Sequence, residues 1–160
     1  MRGMIGKTAA IATLALAATM AIASHADEPV ADEGAITDTA EIEAILSGHT
    51  MLGYFQYRGE AKDRWTEYHC PNGQSRYIHG TDFLRGVWRV GNGRVCYTYD
   101  RPNPGEMYCF QLFKDAAGLY KLRDADHPAD DFTVFISESL PGDPFKLQKL
   151  DGGSCENLSS

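Results

Sequence analysis

The sequence predicts an all-β domain: an antiparallel meander of seven or eight strands curled into a small barrel or half-barrel, with one short N-terminal helix. Three observations carry this expectation. From Met51 onward apolar and polar residues alternate with a period of two. Turn signals punctuate that alternation: "PNG" at 71–73, "GNG" at 91–93, "RPNPG" at 101–105 and "DAAG" at 115–118. Two adjacent hairpins between residues 87 and 113, read independently, place one set of aromatic and branched side chains on a single face.

At the start of the chain, Arg2 and Lys7 precede an Ala-rich apolar run over 8–23, and small residues follow at Ser24 and Ala26. This is the pattern of a secretory signal peptide over 1–26, of bacterial type, which sends the mature chain to the periplasm or beyond. The run falls short of the roughly 20 bulky apolar residues that a membrane span needs, so no span is expected in the mature chain. Residues 1–26 hold two basic residues and no acidic one, so their loss takes the net charge from −7 to −9. Nucleic acid and anionic lipid are poor partners for such a chain, because each requires a basic face to replace counterions. The rest suits one domain with one core.

Residues 27–37 are acidic and short of bulky apolar groups, and read as a disordered leader. Order is expected from Asp38, where "DTAE" offers a capping box between Asp38 and Glu41. Ile42, Ile45 and Leu46 then share one helical face and Gly48 is a natural stop. His49, just beyond, suits a cation at a helix C-terminus. Strands are expected at 51–58, 63–70, 74–79, 86–91, 94–100, 107–113, 119–123 and 132–138, with "GDPFKL" at 142–147 as a further closing segment. The domain is expected to run from 38 to 150, with a tail over 151–160.

The hairpins fix a register. A type I′ turn at Asn92 and Gly93 sets Trp88 opposite Tyr97 and Val90 opposite Val95. A four-residue loop over 101–104 sets Tyr97 opposite Tyr108 and Val95 opposite Phe110. Trp88, Val90, Val95, Tyr97, Tyr99, Tyr108, Phe110 and Leu112 then share one face. Cys96 falls directly opposite Cys109 on the other face, within reach of a disulfide. The same parity leaves Asp100 and Gly105 without a closing pair, so a bulge is expected there. Cys70 and Cys155 are left to each other, and an even cysteine count in an exported chain favours bridges over metal ligation.

The run "RGVWRVGNGRVCYTY" with "YCFQLF", preceded by "LSGHTMLGYF" and "YHCPNGQSRY", resembles small exported proteins of Gram-negative bacteria that are grouped as a domain of unknown function. The shared pattern is a G-x-W-x-V strand, a tight turn, a cysteine and a second cysteine one strand later, over about residues 46–122. The resemblance implies an exported, lipocalin-like β-domain and brings no catalytic residues with it.

Candidates for chemistry are sparse. His69 and His79 flank the turn around Asn72, but no third metal ligand accompanies them and His79 is expected to face Trp65 instead. Asp124, Asp126 and Asp130 have the spacing of three calcium-loop positions without the bend glycine or terminal glutamate, so a solvated turn is expected and no metal. Glu67 with Asp63 is a nominal carboxylate pair. No cofactor motif and no nucleophile motif is present. The aromatics remain. Trp88, Tyr97, Tyr99, Tyr108 and Phe110 are the expected lining of a cavity for a small apolar or aromatic ligand. The leading expectation is therefore a non-enzymatic periplasmic binding module. A protein-interaction or inhibitor domain of the envelope comes second, and a small hydrolase third.

Overall fold

The computed structural model describes residues 34–127, 132–153 and 155. The expected signal peptide at 1–26, residues 27–33 of the leader, and Asp130 lie outside the described residues. In chain order the elements are β1 (Ala35–Ile36), α1 (Thr39–Leu46), β2 (His49–Tyr57), β3 (Glu60–His69), β4 (Gln74–His79), β5 (Asp82–Gly91), β6 (Arg94–Tyr99), β7 (Met107–Lys114), β8 (Tyr120–Asp124) and β9 (Phe132–Pro141), then a 3₁₀ turn η1 (Leu147–Lys149). β2 to β9 pair antiparallel with their sequence neighbours, and β2 also pairs with β9. Each edge therefore has a partner, and the sheet is a closed eight-stranded barrel of lipocalin-like form.

The hairpin register is the one the turn chemistry dictates. Asn92 and Gly93 both have positive φ (54° and 70°), as a type I′ turn requires. Trp88 pairs with Tyr97, Val90 with Val95, Tyr97 with Tyr108 and Val95 with Phe110. Cys96 stands opposite Cys109 and is bonded to it, with Cα atoms 4.0 Å apart. The ladder between β6 and β7 ends at Thr98 and Met107, so the connecting loop is longer than the four residues expected. It includes a cis peptide bond before Pro102.

Two expectations need correction. The leader is not disordered to its end: Ala35 and Ile36 pair with Phe113 and Leu112 of β7, and Ile36 is buried. β1 thus extends the sheet on β7 past the point where β6 begins. Residues 142–147 form no strand. Asp143 instead accepts from the backbone N–H groups of Leu147 and Gln148 and organises η1. The tail is tied down by the expected bridge, Cys155 being bonded to Cys70. Tyr68, Cys70 and Leu147 are buried together on the outside of β3 and β4, packed by Ile78 and Cys155. Beside them Arg76 pairs with Asp151 at 3.1 Å.

α1 forms where its capping chemistry begins. The Asp38 side chain accepts from the backbone N–H of Glu41 at 2.9 Å, and Gly48 takes a φ of 72° just past the end. His49 bonds the Ser47 carbonyl through Nδ1, next to that end. Ile42 and Leu46 are fully buried. α1 touches β2 on one side of the ring and β5 and β6 on the other, so it lies across one end of the barrel. Replacing Asp38 with Ala leaves the first-turn N–H groups without their cap. It is expected to cost about 1 kcal/mol, read as a lower midpoint in urea unfolding with an unchanged slope.

Candidate functional site

With one end covered by α1, the barrel retains a cavity of about 370 Å³, within the range that small-molecule sites occupy. Its walls are mainly aromatic. Phe55 and Trp65 come from β2 and β3, Tyr77 from β4, Tyr97 and Tyr99 from β6 and Phe110 from β7. Leu46 of α1 and Met51 reach it at the covered end, whereas Arg101 and Pro102 of the β6–β7 connection and Tyr108 of β7 reach it at the other. The strands deliver these side chains by parity: Trp65, Glu67 and His69 point inward on β3, and Arg64, Thr66 and Tyr68 outward.

The lining is partly the expected one. Tyr97, Tyr99, Tyr108 and Phe110 all border the cavity. Trp88 does not. It is a core residue whose indole N–H donates to the Cys70 carbonyl at 3.0 Å and whose ring meets His69 edge-on at 5.4 Å. Trp65 takes its place as the tryptophan of the wall. Trp65 pairs with Gly53 across β2 and β3, and a Cβ on Gly53 would come within 2.5 Å of the indole ring and run into the Phe135 carbonyl. Only glycine at position 53 lets that indole lie flat against β2.

The sequence reading missed the polar centre of the cavity. Glu67 is buried among aromatic rings and accepts from the Tyr99 hydroxyl at 3.0 and 3.2 Å. The Ser75 hydroxyl approaches the carboxyl without a well-formed hydrogen bond. Burial pushes the Glu67 pKa up to about 7, and the two hydroxyls oppose the shift without cancelling it. His69, also buried, shares a 3.0 Å hydrogen bond between Nε2 and the Tyr97 hydroxyl, and its Nε2 is 3.9 Å from Glu67. Its Nδ1 has no hydrogen-bond partner among the described residues. Burial lowers the His69 pKa to about 3, so the ring is neutral at any ordinary pH. The Tyr77, Tyr97 and Tyr99 hydroxyls are pushed upward, first by burial and then by the nearby Glu67 charge, and remain protonated donors.

Glu67 therefore makes no pair with Asp63, which is exposed and lies 3.4 Å from His79 Nε2. His79 pairs with Trp65 in the β3–β4 ladder, apart from His69. Asp124 accepts from the backbone N–H groups of Asp126 and His127, the bonding of a turn. Among the described residues no group of three or more His, Cys, Asp or Glu side chains is arranged to hold a metal ion. No helix among them is long and apolar enough to cross a membrane. Comparison with protein-family models, with curated proteins and with solved structures finds no match to this chain.

Proposed function

We propose that this chain is an exported, periplasmic, non-enzymatic binding module whose barrel holds a small apolar or aromatic ligand. The observation that carries the reading is the 370 Å³ aromatic cavity inside a closed barrel. A domain built only to present an outer surface has no need to leave its centre unfilled, since each unfilled methyl-sized space costs on the order of 1 kcal/mol. The two disulfides support an oxidising compartment. Catalysis has less support, because the one buried serine beside Glu67 among the described residues, Ser75, is not among the residues that line the cavity.

A neutral fluorescent naphthylamine, N-phenyl-1-naphthylamine, tests the reading. It is expected to bind at one site per chain with enhanced emission and to change the fluorescence of Trp65 on the cavity wall. Replacing Phe110 with Ala should weaken that binding several-fold while leaving a folded barrel, because it removes a wall contact rather than a fully buried side chain. Absence of saturable binding, or binding indifferent to Phe110, would defeat the proposal.

A further inference from the structure

We propose that the ligand is an organic ammonium: a protonated amine on an aromatic or apolar body, with its charged nitrogen seated on Glu67. The inference rests on the binding-module reading above and names the chemistry that the site selects.

Glu67 is the one carboxylate among the cavity's described lining residues, and it sits at the level of the tyrosines rather than at the rim. Around it stand Tyr77, directly opposite across the β3–β4 ladder, and Tyr99, whose hydroxyl holds the carboxyl in place. Tyr97 stacks parallel to Tyr99 with ring centroids 6.1 Å apart. Aromatic faces are electron-rich and attract cations, most strongly where water is excluded. A carboxylate within such a wall supplies charge-assisted hydrogen bonds that a neutral ligand cannot match. Tyr99 is its only well-formed hydrogen-bond donor among the described residues, which leaves acceptor capacity that the fold itself does not use.

The other groups facing Glu67 do not supply the missing positive charge. On its own strand, His69 is neutral. From β4 come the Ser75 hydroxyl and Tyr77, and from β6 Tyr97 and Tyr99. β2 presents uncharged Met51 opposite Glu67, and α1 presents Leu46. The nearest cationic side chain of the lining, Arg101, belongs to the connection at the open end and donates to the Phe83 carbonyl. His79, also towards that end, is beside Asp63. An entering ammonium would thus be the only full positive charge at the centre, and the chain's net charge of −7 favours its approach.

Binding then carries a proton signature. An ammonium needs the ionised carboxylate, whereas the folded chain by itself holds Glu67 protonated below about pH 7. Each unit of pH below 7 should weaken ammonium binding about tenfold, as the carboxyl must first give up its proton.

The experiment compares 2-phenylethylamine with 2-phenylethanol, matched in size but different in charge, by calorimetry and by displacement of N-phenyl-1-naphthylamine from the full mature chain. At pH 8 the amine is expected to bind at least about tenfold more tightly than the alcohol. Lowering the pH from 7 to 5 should remove the preference, and in Glu67→Gln it should be absent at every pH while the naphthylamine still binds. Equal binding of amine and alcohol at pH 8, or a preference that survives in Glu67→Gln, would overturn the inference and leave the cavity reading standing. Failure of all three probes in the wild-type chain would overturn both. The pH series on the wild-type chain decides the matter without the variant.

Discussion

Replacing Cys70 and Cys155 with Ser is expected to destabilise the protein by about 4.5 kcal/mol, more than any single helix cap or surface pair contributes. The two cysteines are 85 residues apart, and in the chain-entropy model a loop of that length removes about 4.5 kcal/mol of freedom from the unfolded chain. The bridge between Cys96 and Cys109 closes only 13 residues and is worth about 3 kcal/mol by the same argument. The order of the two effects is the test. Urea unfolding of the two double-serine variants should show the Cys70/Cys155 pair as the weaker protein. Equal midpoints would mean that the C-terminal segment contributes nothing beyond its own packing. The Cys96/Cys109 variant should keep its affinity for N-phenyl-1-naphthylamine, since that bridge lies on the face of the sheet turned away from the cavity.

Glu67→Gln is expected to stabilise the protein above pH 7, by on the order of 3 kcal/mol. The folded-state pKa of Glu67 is raised from 4.5 to about 7, so between those values the folded protein binds a proton that the unfolded chain releases. Stability from this group is complete below pH 4.5 and is lost as pH rises through 7. His69 acts with the opposite sign. Its folded pKa is lowered from 6.5 to about 3, so in that window the unfolded chain takes up the proton and stability rises with pH. From pH 4.5 to 6.5 the two slopes oppose each other and the wild-type profile should be nearly flat. Removing Glu67 exposes the His69 slope: Glu67→Gln should gain stability steadily from pH 3 to 6.5 and then level off. Melting temperatures across pH 3 to 9 for the two proteins measure this directly, and parallel curves would show that Glu67 is not buried as described.

The parts of the fold that follow short-range rules were legible in the sequence. A two-residue turn at Asn92 and Gly93 leaves one register for β5 and β6, and the register of the next hairpin, β6 with β7, sets Cys96 opposite Cys109. Alternation gives the side of the sheet but not the height within the barrel. Trp88 is inward as its parity requires, yet it sits by the β3–β4 turn where packing is complete, so it cannot line the cavity. Glu67 and His69 were hidden for a different reason. Their inward direction follows from Trp65 two and four residues earlier, but a buried carboxyl defies the usual assignment of charge to solvent. Only the tyrosine hydroxyls brought by β6, about thirty positions further on, make its burial tolerable. β1 spans too few residues to show a period, and the pairing of β2 with β9 joins segments that have no local sign of each other.

That last pairing governs how the molecule can come into being. A growing chain releases β2 well before β9, and Cys70 long before Cys155. Until the final segments emerge, one margin of β2 stays open and Cys70 is an unpaired thiol alongside the nearby thiols of Cys96 and Cys109. The 13-residue hairpin wins that competition by proximity, since short loops close faster and at lower entropic cost than long ones. Cys70 is thereby kept for the partner that arrives last. The ring and its long covalent strap are thus completed together, and a chain truncated before β9 has neither.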